Sequence, residues 1–366
     1  MSTEQPSALR RNRHLLIALA LIAAMAIGFF YVTRLDLRLP EAPLANVPRS
    51  ASAVLYVRPD ALMRSSWIHP MLERRGVFEA IGRIRRRCGF DPLAQVEDVI
   101  LFAHGSNPRT LEHVGVVTRG PFQHEKLGRC LEQAFEADSL GRMRRTEIEG
   151  LPAVAPERGE TRAVFLGRRG IGIGNLDLVK RIVHTVRDHQ GSLGDDAVLS
   201  RIWSSVAPGR EVVLVGHLPP TWRESLSEQF GAERVVPLAG MLEGLKSAGI
   251  GARVSTGLGL GARLVFDSSQ HASELAGKVR EKLDALKDNL FLSITPIGGL
   301  VRRVQLEATG TDVVITLDVP QEVLDRILQF GDRLAAQREQ HDGAGAPEVP
   351  PSPAADEVIR PDPAGP

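Results

Sequence analysis

Aromatic residues, cysteines and an excess of either charge are all scarce in this chain. Its 12 Phe, 3 Trp and 2 Tyr make up 5% of 366 residues, too few for a stacking platform for bases or sugars. Forty-five Lys and Arg against 44 Asp and Glu leave a net charge of +1, so the basic excess that a general nucleic-acid binder needs is missing. The same balance excludes an acidic ion buffer. Cys88 and Cys130 are the only cysteines and no CxxC occurs, which removes a thioredoxin-type redox centre. HExxH, GxSxG, Walker-loop and SxxK patterns are absent too. The sequence therefore assigns no catalytic, cofactor-binding or metal-ligating residue, and the expectation is a protein that is not an enzyme and carries no cofactor.

What the chain does have begins at residue 15. Residues 15–32, LLIALALIAAMAIGFFYV, are eighteen uncharged positions in a row, which as a helix reach roughly 27 Å, close to a bilayer's hydrocarbon thickness. Arg10, Arg11 and Arg13 precede the run, and Arg34, Asp36, Arg38 and Glu41 after it balance one another. This asymmetry places the N-terminus in the cytoplasm and the rest outside. A cleaved signal peptide is the alternative, since Ala24-Met25-Ala26 has a cleavage-site shape. It would fall inside an apolar run already longer than the ~7–15 residues of a signal core. A lipoprotein is excluded because the first cysteine, Cys88, lies far downstream. The exported compartment is oxidising, so Cys88 and Cys130 either pair or stay as two separate buried thiols.

Composition divides the chain into six parts: a basic cytoplasmic segment (1–14), the membrane helix (15–32), a proline-containing extended tether (33–50), two halves of a folded region (51–207 and 208–337) and a tail (338–366). Seven prolines between Pro347 and Pro366, with four acidic residues, mark that tail as unable to bury enough surface to offset its ordering entropy. In the first half, hydrophobic periodicity predicts a strand at 53–58, a helix at 70–87, strands at 96–104 and 113–118, a helix at 122–136, strands at 142–149 and 162–173, and a helix at 176–187 behind an Asn175 cap. The second half runs strand 211–217, helices 221–230 and 238–247, strands 250–256 and 260–267, helix 270–287, a hairpin over 301–308 and 312–319 turning at Gly310, and helix 322–336. Both halves read β-α-ββ-α-ββ-α, with weak echoes such as LDLVKRIVHTV against PQEVLDRILQF. The expectation is a duplicated α+β fold with antiparallel sheets and helices on one face, built as two sheets or one continuous sheet.

The segment GFDPLAQVEDVILF (residues 89–102), with its Gly-x-Asp-Pro at Gly89–Pro92, resembles a signature of anchored extracytoplasmic bacterial proteins of unknown function. The likeness extends to GPFQHEKL and ARLVFDSSQHASELA, and so over most of residues 50–335. It implies an inner-membrane protein with a single pass and a periplasmic domain. That family has no established catalytic residues, so none is carried over.

Other constellations have plainer readings. Gly170 to Asn175, GIGIGN, lacks the glycine spacing of a dinucleotide loop and reads as a strand without side chains on one face. His184 and His189 are five apart on a helix, about 140° around its axis, and cannot share a metal as i,i+4 histidines do. Arg74, Arg75, Arg83, Arg85, Arg86 and Arg87 make the first exported helix basic, although Arg outnumbers Lys 39 to 6 throughout. That surface is either solvated or a contact for anionic lipid or an anionic envelope polymer. The functional expectation is an anchored, non-enzymatic envelope scaffold with a protein partner. The alternatives are a carrier of an apolar ligand held between sheet and helices and, behind it, an envelope-polymer hydrolase.

Overall fold

The computed structural model describes residues 37, 39–89, 91, 93–105, 113–122, 143–222, 243–289 and 296–330. Short runs rich in β-branched residues pair as β1 (Ala53–Val57), β2 (Asp98–His104), β3 (His113–Arg119), β4 (Met143–Ile148), β5 (Leu151–Pro156) and β6 (Arg162–Leu166). They continue as β7 (Gly170–Gly174), β8 (Val212–His217), β9 (Leu245–Arg253), β10 (Leu258–Phe266), β11 (Gln305–Thr309) and β12 (Asp312–Val319). The helices are α1 (Pro59–Arg64), α2 (Ile68–Arg74), α3 (Val77–Cys88), α4 (Leu176–Asp188), α5 (Ala197–Val206), α6 (Ser269–Lys287), α7 (Pro296–Val301) and α8 (321–330).

All twelve strands form one antiparallel sheet in the order β11-β12-β10-β9-β8-β1-β2-β3-β7-β6-β5-β4. The choice between one sheet and two is thereby decided: the opening strands of the two halves, β1 and β8, are hydrogen-bonded neighbours with Leu55 opposite Leu214. Outward from that pair the order is the same in both directions. β2-β3-β7-β6 on one side answers β9-β10-β12-β11 on the other, with β5 and β4 added at the first edge. The matching hairpins even share a register span, Arg162 opposite Gly174 through Leu166 opposite Gly170, and Gln305 opposite Thr316 through Thr309 opposite Asp312.

Period-two alternation sends neighbouring residues to opposite faces. The row Val54, Phe102, Val215 lies on the face that α4 and α5 cover, where Leu178, Ile182, Leu199 and Ile202 complete the main core. The opposite face carries a smaller core at one side, where α6 packs Ala272 and Leu275 on Phe266 and Val313. Helices therefore lie on both faces, which corrects the expectation of one: Leu264 and Val265, adjacent in β10, belong to different cores.

The predicted Asn175 cap is present, its side chain accepting from the Leu178 amide at 2.9 Å. The glycines of β7 also serve as expected, because a Cβ on Gly172 would sit 3.0 Å from Ile182 Cγ2 of α4. Several boundaries differ. The expected helix over 70–87 is broken at Gly76, whose φ of 68° no helix allows. The strand expected over 162–173 is a hairpin turned by Gly167 at φ 65°, and the proline-bearing LPAVAP is a further strand, β5. Residues 245–247, expected as a helix end, open β9, and 301 closes α7 instead of opening a strand. The helix α5, capped by Asp196, was not anticipated.

The largest correction concerns the tether. From Leu39 onward the expected extended linker is part of the domain: Pro43–Asn46 form a 3-10 turn, and Leu44 and Val47 sit in the main core. The membrane helix expected at 15–32, the helix at 122–136 and the tail at 338–366 lie outside the described residues. Among the described residues no helix is long and apolar enough to cross a membrane.

Candidate functional site

Three features of the sheet bear on function. The first is an apolar row on the face away from α4 and α5. Cross-strand partners place Val116, Leu101, Leu55, Leu214, Ile250 and Ala262 side by side on six adjacent strands. At about 4.8 Å between strands the row is roughly 24 Å long. Leu214 and Ile250 are 46% and 48% exposed, and the other four are partly covered or buried less than fully. Nearby Val114 is exposed as well. The row runs through the β1–β8 junction, so both halves contribute to it.

The second feature is the end of the sheet where the chain enters. Arg119, closing β3, makes a bidentate pair with Asp98 of β2, Nε reaching Oδ1 at 2.9 Å and Oδ2 at 3.0 Å. Its Nη1 donates to the carbonyls of Pro40 (3.1 Å) and Glu41 (2.8 Å). Burial alone would lower the Arg119 pKa, but the bonds to Asp98 and its charge outweigh that and raise it. Asn46 adds bonds from Nδ2 to Pro40 O and Ala42 O, at 2.9 and 3.1 Å. The Leu193 amide donates to Val47 O at 2.8 Å. Leu39 packs on Gly170, and the Leu37 carbonyl lies where a Cβ on Gly167 would be. A pocket of about 640 Å³ opens here between Leu37, Leu39 and Glu41 on one side and Glu97, Arg119 and the Arg168-Arg169 turn on the other.

The same end carries the expected basic helix. Trp67, between α1 and α2, donates its indole N–H to Val254 O and Gly257 O at 3.2 and 3.3 Å, in the β9–β10 turn. Gln321 Nε2 donates to Ser66 Oγ at 2.9 Å. The α1–α3 unit thus leaves the sheet after β1 and returns before β2 at one end. Arg74, Arg75, Arg83, Arg85 and Arg86 are exposed there. The side chains of Arg87 and Cys88, and all of Cys130, lie outside the described residues, and so does the choice between a Cys88–Cys130 bridge and two separate thiols.

The third feature escaped the sequence reading. His217, ending β8, bridges Ser247 of β9, with Nδ1 to Oγ at 2.8 Å, and Asp196, with Nε2 to Oδ2 at 3.0 Å. A Ser-His-Asp relay is the arrangement that activates a nucleophile. Here Ser247, the third residue of β9, is 2% exposed, so its hydroxyl has no substrate space. Asp196 is occupied as the α5 cap, its Oδ1 accepting from the Val198 and Leu199 amides, both at 2.9 Å. Although burial would raise its pKa, these amides and His217 pull it below the usual carboxylate value. The trio ties α5 to the sheet. No residue of the trio stands in a motif of the sequence; His217, Ser247 and Asp196 meet only through the β8–β9 pairing and the α5 cap. His184 and Asp188 do approach, at 3.7 Å, on an exposed surface. Among the described residues no cluster of three metal-ligating side chains occurs.

No protein-family model and no curated protein matches the chain. Among solved structures, crystal form III of TP0453 aligns at a TM-score of 0.43 and 11% identity, over 79% of this chain and 98% of that one. Crystal form I of TP0453 aligns at 0.41 and 12%, over 80% and 98%. Likeness at that level says nothing of function.

Proposed function

We propose that the chain is a single-pass, non-enzymatic binding or scaffold protein of the bacterial envelope, with its N-terminus in the cytoplasm and its sheet domain outside. The apolar row from Val116 to Ala262 carries the reading, for among the described residues it is a continuous hydrophobic line, exposed at Leu214 and Ile250 and half-buried elsewhere. A monomer's sheet normally turns polar residues to its solvated face, and contiguous exposed apolar surface marks interaction sites. The row lies on the flat of the sheet, which suits a protein partner's apolar face better than an enclosed ligand. Residues 15–32 and the resemblance around Gly89–Pro92 support the anchor and the compartment. The mirrored strand order and the equal hairpin spans support an ancestral duplication, with β4 and β5 a later addition.

A photo-crosslinking residue at Leu214, in cells, tests the binding surface against the same probe at Arg201, exposed on α5 over the other face. Discrete protein adducts at Leu214 alone are expected. Adducts of small apolar molecules alone would favour the carrier, and yields equal to the Arg201 control would overturn both.

A further inference from the structure

We infer that the sheet end carrying the α1–α3 unit and the Arg168-Arg169 turn is seated on the phospholipid headgroups of the membrane in which the chain is anchored; this rests on residues 15–32 being that anchor. Chain length carries the argument. The domain takes hold of the chain at Leu37, whose carbonyl abuts Gly167, and of Leu39, Pro40 and Glu41 immediately after. Only residues 33–36 separate Leu37 from the end of the apolar run. Five Cα steps span at most ~18 Å, of which the headgroup layer itself takes roughly 6 Å. A domain fixed so close cannot turn its other end to the bilayer.

Charge is the second, independent observation. Arg168 is exposed on the turn that touches the entering chain, and Arg74, Arg75, Arg83, Arg85 and Arg86 are exposed on the helices that hang from this same end. Cations at that depth are attracted to lipid phosphates and to anionic leaflets. In the pocket there, Arg119 is paired with Asp98 and Arg169 with Glu97, so the cation it adds beside Leu37 and Leu39 is Arg168. An envelope polymer would meet the same arginines only if this end pointed away from the membrane.

The test uses the full chain in phosphatidylglycerol nanodiscs. A photo-crosslinking residue replaces Arg168, Arg86 or, at the opposite end of the sheet, Lys246. Lipid adducts at positions 168 and 86 at least tenfold above those at 246 are expected. Adducts no more frequent than at 246, in protein that co-elutes with the discs and keeps residues 15–32 protected from protease, would overturn the seating while leaving the anchor intact. Failure to co-elute would overturn the anchor and the seating with it.

Discussion

Replacing Arg119 by Met removes one partner of a pair whose other member, the Asp98 side chain, is only 7% exposed. An abandoned buried carboxylate costs about 3–5 kcal/mol. The Pro40 and Glu41 carbonyls lose a charged donor at the same time, which adds about 1.5–3 kcal/mol where no water replaces it. The double variant Asp98→Leu/Arg119→Met leaves no orphaned charge, and replacing both members of such a pair is often neutral. The cycle should therefore be strongly non-additive, with the double variant recovering most of the loss in urea unfolding of the full chain in detergent. A local readout accompanies it. In R119M, and also in the double variant, trypsin should cut at Arg38 faster, because the clamp on Pro40 and Glu41 is missing in both. A cost below about 1 kcal/mol for R119M, or additive single effects, would refute the clamp.

Other consequences follow from the same packing. Asp196→Ala should lose about 1–2 kcal/mol as a helix cap, and wild-type stability should fall in acid as Asp196 protonates, since a carboxylate held below its usual pKa stabilises only while charged; an acid limb unchanged in D196A would contradict this. A fluorophosphonate probe should leave Ser247 unlabelled, and a Ser247 adduct found by mass spectrometry would put the hydrolase reading ahead of the scaffold. Gly172→Val should cost about 1–3 kcal/mol by overpacking, with Ile182, Val164 and Leu166 all within 3.3 Å of its new Cβ; a neutral effect on thermal unfolding would mean that α4 yields. The bond between them raises the pKa of His271 and lowers that of Asp267. That contact should be complete between the two, fading as pH rises through the His271 value or falls through the Asp267 value, and an NMR titration placing His271 at or below 6.5 would reject it.

Much of the fold was legible where pattern and chemistry were local. The runs AVLYV, DVILFAH and EVVLVGH announce strands, Asn175 announces a helix start, and the alternation Leu258 to Phe266 survives as one face of β10. Helix breaks at a left-handed glycine, as at Gly76, were harder, since glycine inside a periodic run only weakens a helix on average. The strand β5 hid behind Pro152 and Pro156, residues that usually argue against a sheet interior. Long-range pairing was out of reach: nothing local tells β1 that its partner β8 begins at Val212. The apolar row is built from six strands spread over more than two hundred positions, Leu55 to Ala262, so it could not be assembled beforehand. One trace was present. AVLYV and VVLVG are apolar at both parities, the mark of strands covered on both faces, and among the described residues Leu55 and Leu214 lie on the face away from α4 and α5, half-buried and exposed respectively. The tether failed as an expectation because Leu44 and Val47 are buried by contacts with 191–193, far along the chain.

The proposal that the domain lies outside a membrane to which residues 15–32 anchor it underlies both the binding surface and the seated end. Protease treatment of intact spheroplasts, followed by carbonate extraction, tests it most directly. The account predicts that the domain is digested from outside while an N-terminal epitope survives in the carbonate-resistant membrane pellet. A chain released by carbonate, or a domain protected until the cells are lysed, would contradict it.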